Sequence, residues 1–133
     1  MPSIDWKKEY DIGVNEIDLQ HHYFAELINR LTLELTEQTD NDYRNSLIDE
    51  LNAYARFHFI SEENLMRKAN YPGLVQHRTH HQQLMSELAN MELELDMNTS
   101  DRNIQVIIDF LVQWFIHHTT IEDRLFAQYL KNQ

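Results

Sequence analysis

Apolar residues recur along the chain at alternating intervals of three and four positions, in four separate blocks. This period is that of an α-helix with one face turned toward a core. The predicted helices span about 16–37, 41–69, 72–97 and 100–131. Polar breaks between them supply candidate N-caps in Asp40 or Asn41 and in Thr99 or Ser100. Pro72 is the expected first residue of the third helix.

The short breaks between the blocks predict the topology. Only two glycines and two prolines occur, which disfavours a many-stranded fold. Short connections make neighbouring helices antiparallel. We therefore predict an all-α protein, an up-down-up-down antiparallel four-helix bundle with an N-terminal arm at residues 1–15. Residues 1–133 are expected to form a single domain.

Composition limits the chemistry and the partners. The 133 residues include no cysteine, which excludes disulfides, thiolate zinc sites and thiolate-ligated iron–sulfur clusters. Acidic residues outnumber basic ones by 22 to 11, so nucleic acid and membrane surfaces are not expected partners. No membrane-spanning apolar run and no signal peptide are visible, and we expect a cytoplasmic protein.

Five histidines occupy positions that the helical period assigns to the core. A buried imidazole needs a partner, and the antiparallel topology brings these five to one level of the bundle, where metal ions are the available partners. Glu62 shares a helix face with His58, and a second carboxylate follows His118. The seven candidate metal ligands are His21, His58, Glu62, His77, His81, His118 and Asp123.

The spacing within helices supports most of this set. His58 and Glu62 are four residues apart, which places them on one helix face, and the same holds for His77 and His81. Asp123 follows His118 by five residues, about 140° around an ideal helix. Glu122 follows it by four, so spacing alone leaves Glu122 and Asp123 as equal candidates.

The ligand types restrict the metal. Seven candidates are too many for one structural zinc ion, and calcium and magnesium prefer oxygen ligands. Imidazole mixed with carboxylate suits iron, copper, nickel or zinc, and the two carboxylates suggest a dinuclear centre. The Glu-x-x-His motif of ferritin-like bundles is absent, because none of the eight histidines has glutamate three residues before it.

The chain resembles the hemerythrin family, most closely its single-domain bacterial members, over nearly its whole length. The segments that carry the resemblance are Ile12-Gly13-Val14, residues 17–21 ending in His21, residues 58–63 beginning with His58, Tyr71-Pro72-Gly73, residues 77–81, residues 114–118 and Asp123. The resemblance favours Asp123 over Glu122 as a ligand.

The resemblance implies two iron ions (Fe2+/Fe3+) per chain with a bridging oxo or hydroxo group. His77, His81 and His118 would bind one iron. His21 and His58 would bind the other, which keeps a position open for dioxygen, and Glu62 and Asp123 would bridge. The implied function is reversible dioxygen binding for oxygen carriage, storage or delivery, and we do not expect an enzyme.

Reversible binding requires an apolar pocket beside the open position. Its expected lining is Trp114, Phe115, Thr119, Ile121, Phe59 and Leu31. Similar proteins have isoleucine where this chain has Thr119, and the hydroxyl is expected to speed autoxidation. The remaining histidines, His22, His80 and His117, are expected near the surface, and Glu63 and Glu122 are expected to be solvated.

Two other functions are compatible with the same ligands. One is a module that senses oxygen or nitric oxide and acts through a separate partner protein. The other is a di-iron enzyme that acts on peroxide or nitric oxide. For the carrier, the expected partners are dioxygen and a redox partner or an oxygen-consuming enzyme, and the chain is expected to be a monomer.

Overall fold

Helices account for most of the chain, as predicted for an all-α protein. A computed structural model describes residues 4–133, and Met1, Pro2 and Ser3 lie outside the described residues. The helices are α1 (Asn15–Glu34), α2 (Asn41–Lys68), α3 (Leu74–Met97), α4 (Asp101–His117) and α5 (Asp123–Lys131), and a π-helical turn, His118–Glu122, joins α4 to α5. No helix within residues 4–133 is long and apolar enough to cross a membrane.

The helices pack in the order expected for an up-down-up-down bundle. Helix α1 packs against α2 and α4, and α3 packs against α2 and α4, so that the four helical rods enclose one core. The fourth rod consists of α4, the π turn and α5 in continuous sequence.

Two apolar clusters fill the interior, and a polar layer lies between them. The larger cluster includes Phe24, Phe59 and Phe115, and the smaller one includes Met66 and Phe126. The candidate ligands lie between these residues along the chain, for example His58 and Glu62 between Ala55 and Met66. A layer of buried polar side chains at one level is thus flanked by apolar packing on both sides.

The connection from α2 to α3 differs from the prediction that Pro72 is the first residue of the third helix. Asn70 adopts the left-handed conformation at φ 54°, and the N–H of Tyr71 donates to the carbonyl of Met66 at 2.9 Å. These features form a Schellman motif, which ends α2 before the proline. Helix α3 begins two residues after Pro72, at Leu74, with Gly73 as its N-cap.

The other helix ends follow local hydrogen bonds. Helix α1 ends at Glu34, three residues before the predicted end. The Thr39 hydroxyl donates a hydrogen bond to the carbonyl oxygen of Glu34 at 2.7 Å and so occupies the acceptor that a further helical residue would use. The carboxylate of Asp40 accepts from the N–H groups of Asp42 and Tyr43, and the Ser100 hydroxyl accepts from Asn103. Asp40 and Ser100 are therefore the N-caps among the predicted alternatives.

The N-terminal arm lies along the bundle and is held there by its apolar side chains. Ile4, Tyr10 and Ile12 are buried, and the backbone of Ile4 exchanges two hydrogen bonds with the side chain of Asn29. Arg124 donates to backbone carbonyls of the arm next to the π turn. The arm is therefore held at both ends by contacts with the first and fourth rods.

The π turn changes which residues of the fourth rod face the core. The helical period predicts that Ile121 and Leu125 continue the buried face of His118. They are instead 47% and 51% exposed, while Asp123, Phe126 and Ala127 are buried. A π turn accommodates one extra residue, so every later side chain rotates by about one position relative to an uninterrupted α-helix.

Candidate metal centre

All seven candidate ligands meet in the polar layer. Each is at most 3% exposed. Helix α1 contributes one histidine, α2 a histidine and a glutamate, α3 two histidines, and the fourth rod the last histidine and the aspartate. Two sets of ligand atoms converge, one from Glu62, His77, His81 and His118, the other from His21, His58, Glu62 and Asp123. Both sets can hold a metal ion.

The two oxygens of Glu62 divide between the two sets. Oε1 lies 2.7, 3.2 and 3.3 Å from the Nε2 atoms of His77, His81 and His118. Oε2 lies 3.2 Å from Nε2 of His58 and 3.8 Å from Nε2 of His21. A carboxylate oriented in this way presents one oxygen to each of two neighbouring metal positions.

The two carboxylate oxygens of Asp123 also lie beside different ligand sets. Its Oδ1 lies 2.9 Å from Nε2 of His77 and 3.0 Å from Nε2 of His118. Its Oδ2 lies 2.8 Å from Nε2 of His21. The two carboxylates therefore span the same pair of positions, and the ligand sets are unequal: three imidazoles lie on one side and two on the other.

The atom spacings fit coordinated metal ions. Metal–ligand bonds of about 2.1 Å at right angles place neighbouring ligand atoms about 3 Å apart. Several buried atoms at the centre lack a hydrogen-bond partner within residues 4–133, namely His21 Nε2, His58 Nε2, Glu62 Oε2 and Asp123 Oδ2. Their close approach without hydrogen-bond geometry is expected of ligands directed at a shared ion rather than at one another.

Glu122, the alternative to Asp123 on spacing alone, lies outside this centre. Its carboxylate oxygens lie 3.4 Å from Nδ1 of His80 and 3.7 Å from Nε2 of His117. Its side chain is 20% exposed, so it is partly buried rather than fully solvated as predicted. The π turn directs Asp123 inward and leaves Glu122 between two outer histidines.

Gln20 orients one of the ligands. Its Oε1 accepts from Nδ1 of His58 at 2.7 Å, while its Nε2 donates to the Ser61 hydroxyl at 2.9 Å. An amide oxygen only accepts, so Nδ1 of His58 carries the proton and Nε2 keeps its lone pair for a metal. Tyr54 donates to the Gln20 carbonyl at 3.0 Å and fixes the backbone there.

Glu63 orients a second ligand, which corrects the prediction that its side chain is solvated. Its Oε2 accepts from Nδ1 of His81 at 2.8 Å, and only 13% of its side chain is exposed. Arg78 and Arg67 lie 3.5 and 3.9 Å from its other oxygen. No pattern in the sequence distinguishes this glutamate, because the contact joins two helices.

Aromatic rings wall the centre. Phe59 stacks on His81 with ring centroids 4.0 Å apart, and Trp114 stacks on His118 at 4.5 Å. The Phe115 ring lies 5.8 Å from that of His21. Phe24, which the sequence reasoning missed, lies 5.8 Å from His58. Its position one turn after His21 on the apolar face is the signal that could have identified it.

Leu31 and Ile121, which were predicted to line the apolar pocket, lie away from the metal centre. Leu31 is buried in the larger apolar cluster, but it lies ten residues beyond His21, about 15 Å along α1. Ile121 is exposed because the π turn rotates it outward. Phe24 takes the place on α1 that the prediction gave to Leu31.

The carboxylates carry negative charge despite their burial. Burial raises the pKa of Glu62, but contacts with His118, His21 and His58 outweigh it and hold the pKa well below its usual value. Burial and the charge of Glu62 likewise raise the pKa of Asp123, and contacts with His118 and His21 outweigh both and lower it. Both groups are thus anionic ligands at neutral pH.

The two carboxylates raise the pKa of three histidines, whereas burial outweighs them at His58. Burial lowers the pKa of His21 and His77, but Asp123 and Glu62 raise each to about 9. For His118 the same two carboxylates raise the pKa to about 10 against the effect of burial. Burial dominates at His58 and lowers its pKa, so this imidazole is neutral and ready to bind a metal.

Comparison with known proteins finds one matching family and several relatives along most of the chain. Residues 12–130 match the family described as the hemerythrin HHE cation binding domain. The chain is 30% identical to a bacteriohemerythrin of Clostridium acetobutylicum, over 90% of this chain and 95% of that protein. It is 28% identical to a bacteriohemerythrin of Stenotrophomonas maltophilia, over 98% of this chain and 84% of that protein. A hemerythrin-like protein of Naegleria gruberi is 26% identical over 86% of this chain and 82% of that protein.

Proposed function

The chain belongs to the hemerythrin family, and on this premise we propose that it binds dioxygen reversibly at a centre of two iron ions, for oxygen carriage, storage or delivery. His77, His81 and His118 would hold one iron, and His21 and His58 would hold the other. Glu62 and Asp123 would each supply an oxygen to both. The observation that carries the proposal is the division of both carboxylates between the two ligand sets.

The unequal ligand sets support an open position beside His21 and His58. With both bridging carboxylates counted, one position has five protein ligands and the other has four. His21 and His58 would therefore hold their ion with one protein ligand fewer than the other ion has, which leaves room for a small molecule on that side. When bound, the two ferrous ions supply dioxygen with one electron each.

The protein contributes a rigid and dry surrounding. Phe24 and Phe115 cover His58 and His21 with apolar rings, and exclusion of water limits the proton delivery that would release the bound gas as a reduced product. Gln20 and Glu63 hold the rings of His58 and His81 in the tautomer that presents Nε2 to the metal.

The test is anaerobic loading with ferrous iron followed by alternate exposure to air and argon. We expect two irons per chain and a visible charge-transfer band that appears in air and disappears under argon. Fewer than two irons per chain, or a band that never reverses, would contradict the proposal. Steady consumption of oxygen, peroxide or nitric oxide would favour an enzyme instead. A partner protein that binds only one ligand state would favour a sensor.

A further inference from the structure

Thr119 has a fully buried hydroxyl that has no hydrogen-bond partner among residues 4–133. Its side chain is 0% exposed, and Oγ1 makes no hydrogen bond to any group in the described part of the chain. Other threonines in helices of this protein bond to the carbonyl four residues earlier, as Thr32 does to Ile28 at 3.2 Å and Thr120 to Ile116 at 2.7 Å. Thr119 lacks the bond that its immediate neighbour makes.

An unpartnered buried hydroxyl is unfavourable, because it loses its hydrogen bonds to water and gains none. Buried polar groups without partners are uncommon in native proteins, and each calls for an explanation such as an ion or a ligand. A valine at this position would have the same shape without the loss. The hydroxyl is therefore a candidate for contact with a group that binds in the interior.

The position of Thr119 identifies where that group binds. Phe115, Thr119 and Asp123 follow one another at intervals of four along the fourth rod. The first contacts the ring of His21 at 5.8 Å, and the last places Oδ2 2.8 Å from Nε2 of His21. Thr119 lies between these two residues in the sequence and is fully buried, so its side chain is inside the bundle on the stretch of the fourth rod that contacts His21. This is the side of the centre with two imidazoles, where the proposed open position lies.

We propose that the Thr119 hydroxyl donates a hydrogen bond to the small ligand held beside His21 and His58, and so selects ligands that carry an acceptor atom. Dioxygen and small anions such as azide belong to this class. The inference rests on the proposed function, because it assigns a role to a residue at that open position. It also predicts that the hydroxyl contributes nothing to the stability of the metal-free protein.

The test compares Thr119→Val, which removes the hydroxyl, with Thr119→Ser, which keeps it. Thr120→Val is the matched control, because it removes a hydroxyl already bonded to Ile116. Azide is titrated into the oxidised, iron-loaded proteins. We expect Thr119→Val to weaken azide binding about tenfold, and Thr119→Ser and Thr120→Val to change it by less than about threefold. Unfolding of the metal-free proteins is measured in parallel.

The outcomes separate this inference from the proposed function. Loss of iron or of reversible oxygenation in the unmodified protein would overturn both. If the unmodified protein behaves as proposed and Thr119→Val binds azide with unchanged affinity, only the inference fails. A lower urea midpoint for metal-free Thr119→Val would also overturn it, because the hydroxyl would then have a structural partner. An equal or higher midpoint together with weaker azide binding supports it.

Discussion

The backbone N–H of Asp123 donates to the carbonyl oxygen of His118, five residues earlier. This π hydrogen bond carries the Asp123 side chain into the bundle, where its Oδ1 lies 3.0 Å from Nε2 of His118. In an uninterrupted α-helix the residue four positions after His118 would share its face, and that residue is Glu122. One widened turn thus decides which carboxylate enters the centre.

This relationship predicts different effects at two adjacent positions. Asp123→Ala should lose at least one of the two irons, because both metal positions lose an oxygen ligand. Glu122→Ala should keep both irons, since the Glu122 carboxylate lies beside His80 and His117 rather than among the ligand atoms. Iron per chain after anaerobic loading and gel filtration measures the difference. The opposite result, iron retained by Asp123→Ala and lost by Glu122→Ala, would show that the assignment is wrong.

Glu63→Gln should weaken metal binding about 10- to 100-fold, because the carboxylate that accepts from Nδ1 of His81 makes this imidazole a stronger ligand. Competition with a chelator for Co2+ measures the affinity without oxidation. Glu50→Gln is the control, since Glu50 pairs with Arg30 on the surface. Equal affinities for the two variants would indicate that the contact with His81 has no effect on the metal.

Metal uptake should release protons at pH 7, because Asp123 and Glu62 raise the pKa of His21 and His77 to about 9 and that of His118 to about 10 in the metal-free protein. These imidazoles are protonated below their pKa values, and a metal binds only the neutral form. Affinity should therefore rise with pH from 6 toward 9 and level off near 10. Co2+ titrations in a series of buffers measure this, and an affinity that does not vary with pH would contradict it.

Thr119→Ile should slow autoxidation of the oxygenated protein several-fold, because an apolar side chain removes the buried, unpartnered hydroxyl that we propose lies at the open position. The decay of the charge-transfer band in air measures the rate. Thr120→Ile, outside the centre, serves as the control. An unchanged or faster decay in Thr119→Ile would refute the effect of the hydroxyl.

Local patterns were sufficient for the helices and for most of the candidate ligands. His58 and Glu62 stand four residues apart on a face that is otherwise apolar, and so do His77 and His81. Such signals arise within one helix. Glu63 was wrongly expected to be solvated, and Leu31 was expected where Phe24 lies, because contacts between helices depend on their relative rotation and height. Periodicity along one helix carries no information on either quantity.

The sequence by itself determined the helical period, the antiparallel order and the core positions of five histidines, because these follow from side-chain spacing and short connections. The tertiary structure alone decided the register of the fourth rod beyond His118. There the π turn buries Asp123, Phe126 and Ala127 and exposes Ile121 and Leu125. With or without the π turn, the residues after His118 form an apolar face. The spacing of residues therefore cannot distinguish the two arrangements. The choice depends on which face packs against α1 and α3, and that packing exists only in the assembled bundle.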